Sequence, residues 1–157
     1  MSSKKKLSTS QRGLTRRLLL AAPGAIASSL LLPLNAFAAE PLVLIVNKKN
    51  SATPSRAELT AIFTTRKLSW GAGKRIVPFN FPPKHSIRTR FDRSLLNMAP
   101  DDVARYWIDR RIRGGSAPPK QVGNAQLIVR LVAKLNGAIG YVPRSAVNDS
   151  VRVLREL

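Results

Sequence analysis

The stretch LVLIVNKKN, residues 42–50, followed by SRAELTAIF, residues 55–63, decides the fold class. Residues 42–46 form an unbroken apolar run, short and stopped by polar residues. That pattern fits a strand covered on both faces better than one with a wet side. Five residues after Asn50, Ser55 stands at capping-box spacing from Glu58, and Leu59, Ile62 and Phe63 then recur on one helical face. A buried strand leading directly into an amphipathic helix is the start of an α/β chain.

The alternation continues outward from there. TTRKLSWGAGKR, residues 64–75, reads as a loop, and RIVPFNF, residues 75–81, as a second short strand. Pro78 inside it points to an edge or a bulge. In PPKHSIRTRF, residues 82–91, Ser86 is placed to cap a helix whose apolar face is Ile87, Phe91, Leu95 and Met98. Pro100 with Asp101 and Asp102 opens another, carrying Val103, Trp107 and Ile112, with Tyr106 beside the stripe. RGGSAPPKQVG, residues 113–123, is a loop. From Asn124 to Asn136, Leu127, Ile128, Leu131, Val132 and Leu135 keep helical spacing, and Gly137 stands at the usual stop. AIGYV, residues 138–142, is a third strand and VRVL, residues 151–154, a fourth. The expected architecture is α/β, a small and mainly parallel sheet flanked by helices.

The first 38 residues read as an export leader. MSSKKKLSTSQRGLTRR holds six basic residues and no acid, an apolar stretch spans residues 18–34, and Ala36-Phe37-Ala38 is an A-x-A site. Cleavage is expected between Ala38 and Ala39, and Thr15-Arg16-Arg17 before Leu18-Leu19 fits a twin-arginine signal. Pro23, Gly24 and Pro33 interrupt the apolar stretch, which favours cleavage over a lasting anchor. Residues 39–157 then form one domain in the periplasm, with no stable membrane anchor.

The 157-residue chain carries 27 Lys and Arg against eight Asp and Glu. Without the leader's six cations the surplus is still +13. Such a surplus suits an acidic protein, an anionic surface or a small anion. Nucleic acid is disfavoured, because no helix-turn-helix, RNP or zinc signature is present and an exported chain meets little of it. The aromatics Phe63, Trp70, Phe91, Tyr106 and Trp107 occupy positions that core packing accounts for.

Catalysis finds no support. His85 is the single histidine and cysteine is absent, so neither a metal site nor a disulfide can be assembled from these residues. No nucleophile elbow, phosphate-binding nucleotide loop or paired carboxylates occur, and no cofactor is implied.

An anion cup is the chemistry these residues fit best. Free amides at a helix start, joined by a serine hydroxyl and an arginine fork, can hold a phosphate-like group. Ser86, Ile87, Arg88 and Thr89 stand in the right order, with Lys84 as added charge. A serine that only caps its own helix accounts for the same local pattern.

The succession LVLIVNKKN, SRAELTAIFTTRKLSW, KRIVPFN, HSIRTRF and GAIGYV resembles the substrate-binding protein of bacterial phosphate ABC importers. It is closer still to the short, single-domain exported proteins related to that family. The resemblance covers residues 43–142, and AIFTTRKLSW and GAIGYV are its most specific pieces. It implies one lobe of a type 2 periplasmic binding protein. The implied ligand is phosphate or another small oxyanion, and the implied partner an ABC-transporter permease or another envelope protein. Two departures stand out. Asn80 lies roughly where the family has an arginine, and Ser86-Ile87-Arg88 replaces its Ser-Gly-Thr turn, so only Ser86 carries over directly. A single lobe also leaves its ligand open to water and salt, so binding is expected to be weak. The alternative expectation is an envelope accessory module of the same fold without a small-molecule ligand.

Overall fold

The computed structural model describes residues 40–71 and 73–157. The expected leader of residues 1–38, with its twin-arginine and A-x-A patterns, lies outside the described residues.

The elements run β1 (Leu42–Asn47), α1 (Arg56–Phe63), β2 (Val77–Asn80), α2 (Ser86–Phe91) and a π-helical turn (Asp92–Leu96). There follow α3 (Pro100–Ile112), β3 (Lys120–Gln121), α4 (Ala125–Lys134), β4 (Ala138–Pro143), a 3-10 turn (Arg144–Ala146) and β5 (Val151–Glu156). Five strands form one sheet in the order β3-β2-β4-β1-β5. The α/β class stands, but the sheet is mixed. β2 runs parallel to β3 and β4, whereas β1 is antiparallel to both β4 and β5. Strand–helix alternation predicts parallel neighbours only when each helix crosses between adjacent strands. Here β1 lies between β4 and β5 and runs against both, so β4 and β5 point the same way and the mixed character comes from β1 alone.

Every residue of β1 is buried, as its apolar run requires. Helix α4 covers one face of the sheet: Asn47 donates its side-chain amide to the Val132 and Ala133 carbonyls at 3.0 and 2.7 Å. Gly140 makes that contact close, since a Cβ there would lie 2.6 Å from Ile128 Cγ2. The next residue, Tyr141, points to the opposite face, as strand alternation dictates. Its ring stacks on Phe91 with centroids 3.6 Å apart and meets Phe63 edge-on at 5.8 Å. The Tyr141 hydroxyl donates to Asn80 Oδ1 and accepts the Phe81 N–H at 3.3 Å. Burial pushes that phenol well above its ordinary pKa, so it stays a neutral donor.

The two most specific sequence pieces meet here. Trp70 donates its indole N–H to the Gly137 carbonyl at 2.9 Å. A Cβ on Gly137 would collide with the Arg75 carbonyl. Gly137 is therefore a close-approach glycine; α4 has already ended at Lys134. Ser55 and Glu58 form the expected capping box. Pro78 is resolved as an edge of limited extent. β3 pairs only with Phe79 and Asn80, so the side of β2 on which Pro78 lacks an N–H carries no ladder at that residue.

Helix α3 departs from its expected stripe. Only Val103 is buried, while Ile108 and Ile112 are 60 % and 80 % exposed. The helix is held instead by Tyr106, whose hydroxyl donates to the Thr64 carbonyl at 2.9 Å, and by Arg110, which donates to the Thr65 carbonyl at 2.8 Å.

Candidate functional site

The turn from Phe81 to Asp92 carries all the residues singled out as an anion cup. The chain leaves β2 through Pro82-Pro83, and the His85 N–H closes a tight turn on the Pro82 carbonyl at 3.0 Å. The turn brings the His85 ring onto Phe81, with centroids 4.6 Å apart. From there Nδ1 accepts the Ile87 N–H at 3.2 Å. His85, not Ser86, is thus the N-cap of α2, and Ser86 is its first helical residue. The Thr89 N–H reaches the His85 carbonyl at 3.1 Å. The Thr89 contact is the first regular bond of the helix, and of the free helix-start amides His85 engages that of Ile87.

Arg88 points inward. It is 5 % exposed; Nε donates to both Asp92 oxygens, at 2.8 and 2.7 Å, and a terminal nitrogen donates to the Phe81 carbonyl at 3.2 Å. Asp92 is 3 % exposed. Burial raises its pKa above the ordinary carboxylate value against the opposing pull of the Arg88 charge. Spacing of four along a helix sets the pair's reach, and the π-helical turn begins at Asp92. Asn80 is 2 % exposed and its Oδ1 accepts from the Tyr141 hydroxyl.

Lys84 and Ser86 are exposed and adjacent to the turn, and Thr89 is half-buried. The structure therefore groups Lys84, Ser86, Ile87 and Thr89 at one helix start and turns Arg88 away from solvent. Two depressions mark the described surface elsewhere, one beside α4 and one beside β2, and neither is lined by residues 84–89. Sequence reasoning missed the roles of His85 and Asp92. The i,i+4 placement of Arg88 and Asp92 was a usable signal; the histidine cap had none beyond standing one residue ahead of the serine.

No protein-family profile matches the chain, and no curated protein matches it. Solved structures do. An ABC-type phosphate transport receptor from Vibrio cholerae superposes with a TM-score of 0.58 at 18 % identity, covering 74 % of this chain and 46 % of the receptor. PstS from Borrelia burgdorferi gives 0.56 at 15 %, covering 73 % and 46 %. The fold is that of one lobe of a PstS-type binding protein. A putative phosphate ABC transporter substrate-binding protein from Clostridium perfringens, solved with bound phosphate, gives 0.51 at 22 %, covering 74 % and 44 %. The chain spans less than half the length of each. The first of these is a transport receptor and the third a putative substrate-binding protein. Among the described residues, no helix is long and apolar enough to cross a membrane.

Proposed function

We propose that this chain is an exported envelope interaction module built on a PstS-type lobe, acting in the periplasm without a tightly held small-molecule ligand. One observation carries the reading: Arg88, the guanidinium nearest the would-be cup, is 5 % exposed and committed to Asp92. Turning it outward would leave Asp92 buried without its partner, a cost of about 1–3 kcal/mol even if the carboxyl takes up a proton, which a single surface anion contact does not offset. With the Ile87 amide also engaged by the His85 side chain, the helix start is left with the Ser86 and Arg88 amides, the Ser86 hydroxyl and Lys84 for an anion. The basic surplus then serves contact with an acidic envelope protein. Calorimetry of the exported protein with inorganic phosphate at low salt tests this. No saturable heat is expected below about 1 mM; a dissociation constant of about 10 µM or tighter overturns the reading.

A second reading keeps a weak oxyanion ligand, phosphate among them, at Ser86, Ile87, Thr89 and Lys84, with Arg88 as charge behind them and an importer permease as partner. The specific support is the exposed Lys84–Ser86 pair on a fold shared with phosphate receptors. It expects millimolar binding that Ser86→Ala with Lys84→Ala abolishes. Binding that ignores both substitutions removes it.

A further inference from the structure

The depression beside β2 has a chemistry of its own. β3 is only two residues long and pairs with Phe79 and Asn80. Pro78 can donate no further ladder bond, and the segment before β3, through Pro118 and Pro119, forms the facing wall. Between them lies a groove of about 690 Å³. Its apolar surface comes from Ile76, Val77 and Pro78 of the sheet and from Leu68 at the lip, 53 % exposed. Its charged residues are Lys67, Arg75 and Lys120, with no carboxylate in the lining. Lys67 is paired with Glu58. Arg75 and Lys120 are exposed and enter none of the ion pairs formed among the described residues.

Resting on the interaction-module reading, we propose that this groove binds an extended acidic segment of a partner protein, with two carboxylates four residues apart and apolar residues between them. The spacing follows from the sheet. Arg75 bridges to Ser69, and Lys120 stands opposite Phe79, four residues further along, so both cations ride on paired backbone. At about 3.3 Å per residue they are separated by about 13 Å along the strand direction. An extended chain places residues i, i+2 and i+4 on one face, which sets acids over the two cations and an apolar side chain over Val77. Charge excludes the other occupants. The chain's own leader holds six cations and no acid, and a second copy brings the same basic surplus.

The test is fluorescence anisotropy at low salt, with a labelled peptide Ser-Glu-Leu-Val-Leu-Glu-Ser added to the exported protein. Saturable binding is expected, weakened at least about tenfold by replacing both glutamates with glutamine or by Arg75→Glu with Lys120→Glu. Should the charge-reversed protein lose its fold by circular dichroism, Arg75→Gln with Lys120→Gln replaces it, with a smaller loss in the same direction. The proposal is overturned by an absence of saturable binding, by equal binding of the glutamine peptide, by binding that ignores the groove variants, or by equal binding of a peptide whose glutamates are adjacent. Such a failure leaves the interaction-module reading standing on its separate phosphate titration.

Discussion

Removing either member of the Arg88–Asp92 pair tests whether the helix start is closed from within. Asp92→Asn leaves a guanidinium at 5 % exposure without its counter-ion. Arginine cannot shed its proton, so the uncompensated charge stays buried. The expected cost is about 3–5 kcal/mol, a large part of the stability of a domain this size. Arg88→Met leaves a carboxyl that can neutralise itself, so its cost should be smaller and should shrink as pH falls. The sign follows from linkage. Burial raises Asp92 in the folded chain above the ordinary carboxylate value, so the folded state holds the extra proton in the window between the unfolded and folded values. Stability from this group therefore falls as pH rises through that window, and more steeply once Arg88 is gone. Replacing both residues, Arg88→Met with Asp92→Leu, removes the desolvation cost together with the attraction and should return to within about 1 kcal/mol of the parent. Urea unfolding followed by Trp70 and Trp107 fluorescence measures all three. A cost below about 1 kcal/mol for Asp92→Asn, or a double variant as unstable as the two singles combined, would refute the reasoning.

Three further outcomes are expected. His85→Ala should destabilise by about 1 kcal/mol through loss of the cap, with His85→Asn restoring most of it in thermal unfolding. Glu58, held down to about 2 by the Lys67 ammonium and the Ser55 N–H, contributes stability above its ordinary 4.5 that is lost as pH falls through about 2. Glu58→Gln should accordingly flatten the acid limb of a stability–pH profile across that interval, and an unchanged limb counts against the contact. Gly140→Ala should cost about 1–3 kcal/mol in urea unfolding, because its Cβ would stand 2.6 Å from Ile128 Cγ2; a neutral substitution would mean that α4 can shift.

The elements that the sequence announces are those whose local pattern and tertiary role agree. Residues 42–46 are apolar without a break and are buried on both faces, and the Ser55–Glu58 box caps the helix it precedes. Strand direction was not legible, because it depends on which strands each connection joins, a property of the whole sheet. Helix α3 misled for a related reason. Its apolar spacing is real, yet Ile108 and Ile112 face outward because Tyr106 and Arg110 anchor the other side to the loop after α1. At the helix start the residue types were read correctly and their directions were not. Serine next to arginine describes an anion cup only if both face solvent. Phe81 holds the His85 ring against the Ile87 amide, and Asp92 draws Arg88 inward. Those two long-range or one-turn contacts decide the chemistry, and neither lies within the four residues that suggested it.

The claim that this helix start is closed from within is tested most directly by amide resonances of the isotope-labelled protein, titrated with inorganic phosphate at low salt. The account predicts that the Ile87 and Thr89 amides and the Arg88 Nε–H stay fixed to about 1 mM phosphate, with drift confined to Lys84 and Ser86 beyond it. Saturable movement of Ile87 and Arg88 together, at a dissociation constant of about 10 µM or below, would contradict it.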